Sequence, residues 1–364
     1  MLKDERISPS QFTLLTTLFT IGSSIIIIPA SLVLVAKQDG WISAIVATLF
    51  GLLLIYFYSS FPNKYPGKGL PEIIELVFGS YLGKLIIALY FFFSFTLAAL
   101  VLRNFGDFLK TKIILETPLE AIHIMFLIPV IYAVKLGIET YSRVAELTFP
   151  FVILMFIILI TLTSPQAEFT NIQPIFGEEA KTIVGGSLSM VGVPFLELIL
   201  LTTLYSSINN PKKTRKSFLV GVLMGASFLV VTTIYTILVL GVELTSLKVY
   251  PTYVWAKKIS IADFLERVEV TIAALWGITL FFKLVIAYHV SLILVSKLFK
   301  MKDYRILAIP MAFILYVYSL IAYPNSAYFM DFATKTWFAY ALLFGLVFPV
   351  LLWGVGLFKK DQKT

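Results

Sequence analysis

Two charged residues stand where charges are costly. Glu197 lies in an apolar run three residues after Pro194, and Lys283 lies inside IAALWGITLFFKLVIAYH, 15 residues beyond Val268. An ionisable side chain in hydrocarbon is expensive and marks a functional hypothesis by default. Glu197 serves a ligand, or caps the broken backbone, or pairs with a cation on the fifth or eighth span. Lys283 is too deep to snorkel easily to the interface. It is held neutral by desolvation, or paired with Glu197 or Glu146, or its ammonium reaches the carbonyls around Ile21–Gly22.

The other candidates are quieter. Arg103 and Asp107 stand four apart and are candidates for structure or gating. Arg143 and Glu146, at i and i+3 near the inner surface, read as a local ion pair worth about 0.2–0.5 kcal/mol or as a gate. His123 reads as interfacial. His289 follows Lys283 by six residues and so occupies another helix face, which argues against a dyad. With 2 His and 0 Cys, neither a metal cluster nor disulfide chemistry is expected. The sequence has no Ser-His-Asp set, paired-carboxylate motif, P-loop or zinc signature, so no enzyme and no cofactor are expected.

The elements that must hold these residues are set by composition. Of 364 residues, 59% are hydrophobic and 14% charged, with mean hydropathy +0.92. A soluble domain carries about 25% charged residues, so this chain reads as one integral membrane domain over 1–364. Apolar runs of about 20 residues place ten spans, at 10–36, 41–61, 82–103, 119–135, 141–163, 182–206, 216–240, 268–296, 304–322 and 336–358. A short interfacial helix is expected over 71–84 and a partly amphipathic stretch over 241–267. No cleavable leader is expected, because the first apolar run continues to Ala36 without a small-residue cleavage site. With both termini cytoplasmic, 18 of the 29 Lys and Arg fall on inner segments and 10 on outer ones, the remaining one being Lys283. The formal charge of +8 is thereby read as topology, with contact to membrane lipid and no nucleic-acid partner. Gly221-x-x-x-Gly225 and Gly79-x-x-x-Gly83 are small-residue packing motifs.

Two spans are interrupted. The first carries Gly22-Ser23-Ser24 and Pro29; the sixth carries Gly185-Gly186 and Gly192-Val193-Pro194. Each opens a five-span half, and Gly/Pro-interrupted spans at matching places in two halves point to a transporter-type site between inverted repeats. Five is odd, so the halves insert in opposite senses. The expected fold is an all-α 5+5 inverted repeat, 10–163 and 181–358, with helices 1 and 6 discontinuous. Half-helix N-termini suit a carboxylate and exposed carbonyls suit an ammonium, so the site fits a zwitterion. The expected ligand contacts are Gly22, Ser23, Ser24 and Ile25 on one side, and Val191, Gly192, Val193 and Phe195 on the other. Walls come from Tyr90 or Phe93 and from Trp276 or Ile278, and Lys283 and Glu197 act as cation mimic and coupling groups.

Several strings resemble a known family. They are Asp39-Gly40-Trp41-Ile42, Arg103 with Asp107, Glu116-Thr117-Pro118, and Ser142-Arg143 with Glu146 and Pro150. Asn171-Ile172-Gln173-Pro174-Ile175, Glu197 and Tyr323-Pro324 complete the set. In order and spacing they resemble the B subunit of bacterial spore-germination nutrient receptors, within the amino acid–polyamine–organocation transporter superfamily. The resemblance implies a LeuT-like fold in the inner spore membrane. It also implies a small nutrient ligand, an amino acid in the first place, and action with an A-type membrane subunit and a C-type lipoprotein subunit. One departure is that the family's Gly-x-Gly break here ends in Ser24. A proton-coupled amino-acid permease and an ion-conducting channel subunit are the alternatives. In sodium-coupled relatives of this architecture the unwound first helix and helix eight hold a cation, a place that Lys283 would fill.

Overall fold

The computed structural model describes residues 5–258 and 269–358. Part of the stretch expected to be amphipathic, with Arg267, lies outside them, as do Lys3, Lys359, Lys360 and Lys363. Among the described residues the regular structure is helical, apart from one bridge between Ile7 and Ile208.

The chain starts its first helix, α1 (Pro9–Ile21), with a strong local signal: Ser8 caps it, Gln11 closes the capping box and Pro9 occupies the first turn. The helix stops at Gly22 and restarts as α2 (Ser24–Ala36). After a turn at 37–39 come α3 (Gly40–Tyr58), the short α4 (Phe61–Lys64) and α5 (Leu70–Phe108). At 1.5 Å per residue, the 39 residues of α5 run about 58 Å, far more than the hydrocarbon thickness. Its first part therefore lies outside the membrane, set off by a bend at Gly79 (φ 79°). The expected interfacial helix and third span are thus one bent element. Gly79-x-x-x-Gly83 marks this bend rather than a helix-packing face: a Cβ at Gly83 would meet Glu75 Cα at 3.1 Å.

The fourth and fifth spans are α6 (Leu119–Leu136) and α7 (Ile138–Thr163). The sixth runs through α8 (Ala180–Met190), a wide turn at Val191–Phe195 where Val193 is extended (φ −131°, ψ 110°), and a tight 3₁₀ segment, Leu196–Ser207. Then follow α9 (Thr214–Leu247, bent at Gly241), α10 (Pro251–Lys257), α11 (Glu269–Leu298), α12 (Ala308–Ile321) and α13 (Ser326–Lys335). The last span is α14 (Trp337–Leu342), a wide turn at 343–347 and α15 (Phe348–Phe358). Among the described residues, nine helical runs are long and apolar enough to cross a membrane. The tenth expected span is the broken first one, since α1 has only 13 residues and α2 runs on into α3.

Packing sorts these helices into a core and a lipid-facing shell. The apolar window of α11 is 83% buried, against 28% for that of α7, so α11 is the central mast. Leu53, Leu147, Phe151 and Phe313 point outward, as lipid-covered faces require. The first helix packs on α9 at close range. A Cβ on Gly221 would stand 2.7 Å from Thr16 Cβ, and one on Gly225 would stand 2.6 Å from Thr20 Cβ. Thr13 and Thr17 on α1 then donate to the carbonyls of Ser217 and Gly221, each at 3.1 Å. Gly221-x-x-x-Gly225 is a packing motif within the chain, as expected.

Candidate functional site

The two interrupted spans meet at one buried cluster. Lys283, fully buried on α11, places Nζ 2.7 Å from Glu197 Oε2 and donates to Ser23 Oγ at 2.8 Å. The ammonium also lies 5.2 Å from the centroid of the Phe19 ring. The other oxygen, Glu197 Oε1, accepts from Trp337 Nε1 at 2.8 Å. Four elements are therefore tied at one point: the break in the first span, the segment after the break in the sixth, α11 and α14. A buried charge needs both a counter-charge and hydrogen bonds to offset its lost hydration, and both groups have them here. Of the readings left open by the sequence, the structure contains the Lys283–Glu197 pair. The ammonium ends on the Ser23 side chain rather than on the carbonyls around Ile21–Gly22.

The break itself makes room for this lysine. A Cβ at Gly22 would lie 2.5 Å from Lys283 Cδ and 2.7 Å from the Phe19 carbonyl oxygen. Only glycine lets the lysine stem cross there.

Beside the cluster is a cavity of about 50 Å³. Ser23, Ser24 and Val193, three of the expected ligand contacts, line it together with Glu197. Further wall comes from Ile27, Ile28 and Ser31 on α2, from Leu97, Leu100, Val101 and Asn104 on α5, from Ser189 on α8, from Phe329, Met330, Phe332 and Ala333 on α13, and from Trp337. The remaining expected ligand contacts are turned into packing. Gly22 faces Lys283, and a Cβ on Gly192 would stand 3.3 Å from Phe338 Cα. The Ile25 carbonyl accepts from Thr252 Oγ1 at 2.8 Å, Val191 is buried off the cavity, and the Phe195 ring covers Gly51. Trp276 packs among Phe105, Phe108 and Tyr250, with centroids 5.7, 4.8 and 6.3 Å away. Phe93 stacks behind Trp337 instead of on the cavity, and Tyr90 donates to the Phe344 carbonyl at 2.7 Å. Asn104 and α13 went unrecognised in the sequence; an amide deep in an apolar helix was the available signal for the first.

Arg103 and Asp107 form a buried pair, Nε to Oδ1 at 3.0 Å. The guanidinium also donates to the Leu320 carbonyl at 2.5 Å and lies 5.0 Å from the Tyr323 ring centroid. Burial pushes the phenols of Tyr250 and Tyr323, between spans, up from their ordinary value, and the nearby Asp107 carboxylate adds to both shifts. Both stay neutral around this pair. Arg143 does not pair with Glu146. It bonds Glu139 at 2.5 Å on the exposed face, since the i, i+4 order with Glu first is the better match on a helix. Glu146 instead accepts from Gln11 Nε2 of α1 at 3.0 Å. His123, expected at the interface, is buried and shares a 2.9 Å hydrogen bond with Ser319. His289 shares one with Tyr141 at 2.9 Å, away from Lys283.

At the other end of the first span the chain is latched. Ile7 N donates to the Ser207 carbonyl at 2.8 Å, and Asn209 N donates to the Ile7 carbonyl at 3.0 Å. Glu5 pairs with Arg305 and accepts from Ile138 N at 2.9 Å. Behind this latch lies a polar vestibule of about 600 Å³ that reaches Thr203 and His289. Two further resemblance strings meet on the opposite side, where Asp39 accepts from Phe176 N and Glu178 N, each at 2.9 Å, and Gln38 reaches the Pro174 carbonyl.

Comparison with known proteins agrees with this geometry. Spore germination protein KB of Bacillus subtilis (strain 168) is 28% identical over 366 residues, covering 100% of this chain and 97% of its own. Spore germination protein B2 of the same organism is 22% identical, covering 92% and 90%. Among solved structures, Mhp1, a nucleobase-cation-symport-1 family transporter in a closed conformation with bromovinylhydantoin bound, superposes with TM-score 0.63 at 13% identity. It covers 93% of this chain and 76% of that one. MhsT in complex with L-phenylalanine gives TM-score 0.61 at 13% identity, covering 97% and 99%. At such identities these structures speak for the fold alone, which is the all-α, LeuT-like transporter class expected from the sequence. The chain is thus a multi-pass membrane protein related to receptors and permeases rather than to enzymes. The family model described as spore germination protein matches residues 6–327, and this chain belongs to that family.

Proposed function

We propose that this chain is the nutrient-sensing transmembrane subunit of a spore germination receptor. It binds a small germinant, such as an amino acid, in the cavity between the two breaks. It passes the change to an A-type membrane subunit and a C-type lipoprotein subunit in the inner spore membrane. The halves 10–163 and 181–358 act as inverted repeats with both termini cytoplasmic.

The observation that carries this reading is the cavity's shared wall. Glu197 borders the cavity and is bonded to Lys283 on α11 and to Trp337 on α14. The cavity is about 50 Å³, and on this reading a wall moves to admit an amino acid. The movable part is α13 with Phe329 and Phe332, which runs directly into Trp337. Ligand entry then repositions α14 against Glu197, and a ligand that favours the widened state shifts the population toward it.

The test is cavity filling. Ser24→Phe should raise the nutrient concentration needed for germination while protein abundance is kept. An unchanged dose–response would place the ligand elsewhere. The fold neighbours are transporters, which supports a permease as the second reading. Uptake of labelled amino acid by the purified chain alone in liposomes would favour it.

A further inference from the structure

We infer that Asn104 reads the ligand's polar head group and restricts this cavity to molecules of no net charge. The inference rests on the cavity reading above and adds the residue that sets its charge selectivity. Asn104, on α5, is 1% exposed, and neither Oδ1 nor Nδ2 has a hydrogen-bond partner among the described residues. Ser24 Oγ, also 1% exposed, has none either. Both residues line the same cavity. Buried amides and hydroxyls are ordinarily paired, and leaving three such atoms unsatisfied on one small wall is costly.

The charged groups there behave oppositely. Both Glu197 oxygens are engaged, one by Lys283 and one by Trp337, and Ser23 Oγ takes a second Lys283 bond. The formal charges around the cavity cancel within the protein. What remains for a ligand is neutral hydrogen-bonding capacity. A carboxamide offers two donors and one acceptor oxygen, and a hydroxyl offers both roles. Asn104 Oδ1 can accept from an ammonium while its Nδ2 and the Ser24 hydroxyl donate to a carboxylate. A zwitterion satisfies all three atoms and brings no net charge. A cation or an anion of the same size would enter with no counter-charge, and its lost hydration would go uncompensated. The apolar walls, Ile27, Ile28, Leu97 and Leu100 among them, fit a short hydrocarbon body.

The probes are L-alanine and L-valine as zwitterions, L-alaninamide as a cation of matched size, and propionate as an anion. Binding is measured on the full-length chain in nanodiscs, with germination dose–response of spores carrying each variant as the second readout. The wild type should respond to a zwitterion and to neither ion. Asn104→Leu should raise the effective zwitterion concentration about ten- to hundredfold, the worth of one or two buried hydrogen bonds. Because leucine removes an unpaired amide, abundance and thermal stability should hold or rise, unlike the loss of a structural residue. Asn104→Asp should reverse selectivity toward L-alaninamide. If Ser24→Phe leaves the zwitterion response unmoved, or no probe acts on the wild type, the cavity reading falls and this inference with it. If Ser24→Phe abolishes the response but Asn104→Leu does not shift it, the cavity stands and the role of Asn104 is refuted. Equal binding of L-alanine and L-alaninamide by the wild type refutes the charge rule in the same way.

Discussion

Removing the Lys283 ammonium tests the central cluster most directly. In Lys283→Met the stem is kept in volume while Glu197, 1% exposed, loses its counter-charge and keeps only the Trp337 hydrogen bond. Breaking a buried pair from one side costs about 3–5 kcal/mol, roughly two to four orders of magnitude in the folding equilibrium. The double variant Lys283→Met with Glu197→Met removes both charges and leaves the Trp337 indole N–H unpaired, about 1–3 kcal/mol, while the Ser23 hydroxyl loses its partner in the single and the double alike. The double should therefore be more stable than the single. The assay is thermal inactivation of detergent-purified protein, with wild type, both singles and the double closing a mutant cycle. Sodium provides a second arm. The single variant leaves an uncompensated carboxylate beside Ser23, so sodium in place of choline should stabilise it and leave the wild type unchanged. A Lys283→Met protein as stable as wild type, a double worse than the single, or sodium-dependent wild type would falsify the idea that a resident ammonium does an ion's work here.

Two further outcomes follow from close contacts. Gly22→Ala puts a methyl 2.5 Å from Lys283 Cδ, so the lysine stem must move; we expect a loss of about 1–3 kcal/mol in thermal stability, and wild-type behaviour would contradict the contact. Glu5→Ala removes the Arg305 pair and the bond to Ile138 N, loosening the latch over the vestibule. The chain has 0 cysteines, so a single Thr203→Cys reports accessibility without background. Adding Glu5→Ala should speed its labelling from the latched side roughly tenfold, the worth of one charge-assisted bond, and an unchanged rate would show that the latch does not gate the vestibule.

The parts of the site legible in the sequence are those that break a local rule. Gly22-Ser23 and Val193-Pro194 interrupt apolar spans, and Glu197 and Lys283 put charge into hydrocarbon. Each is visible without knowing the fold, and the structure gathers all of them at one point. The hidden parts obey local rules. Trp337 opens a span, where a tryptophan reads as an interfacial anchor, so its bond to Glu197 left no trace. The cavity wall from α13 comes from a segment too short and mixed to read as membrane structure. Phe195, expected at the ligand for its place beside the break, and Trp276, expected on a wall, pack away from the cavity, because which face of a helix meets a cavity is set by tertiary packing. Arg143 went to Glu139 rather than Glu146 for a reason the sequence did contain, the preference for four-residue spacing.

The pair at the centre also bears on driving force. In a carrier that concentrates its cargo, a free cation binds with the cargo, and its downhill exit supplies the work. Lys283 is bonded to the chain and cannot be released on either side, so the place it occupies transmits no sodium gradient. On the reading proposed above, a ligand bound beside it draws no work from sodium. Occupancy then follows the outside concentration of that ligand, as a gauge requires and a sodium-driven pump does not.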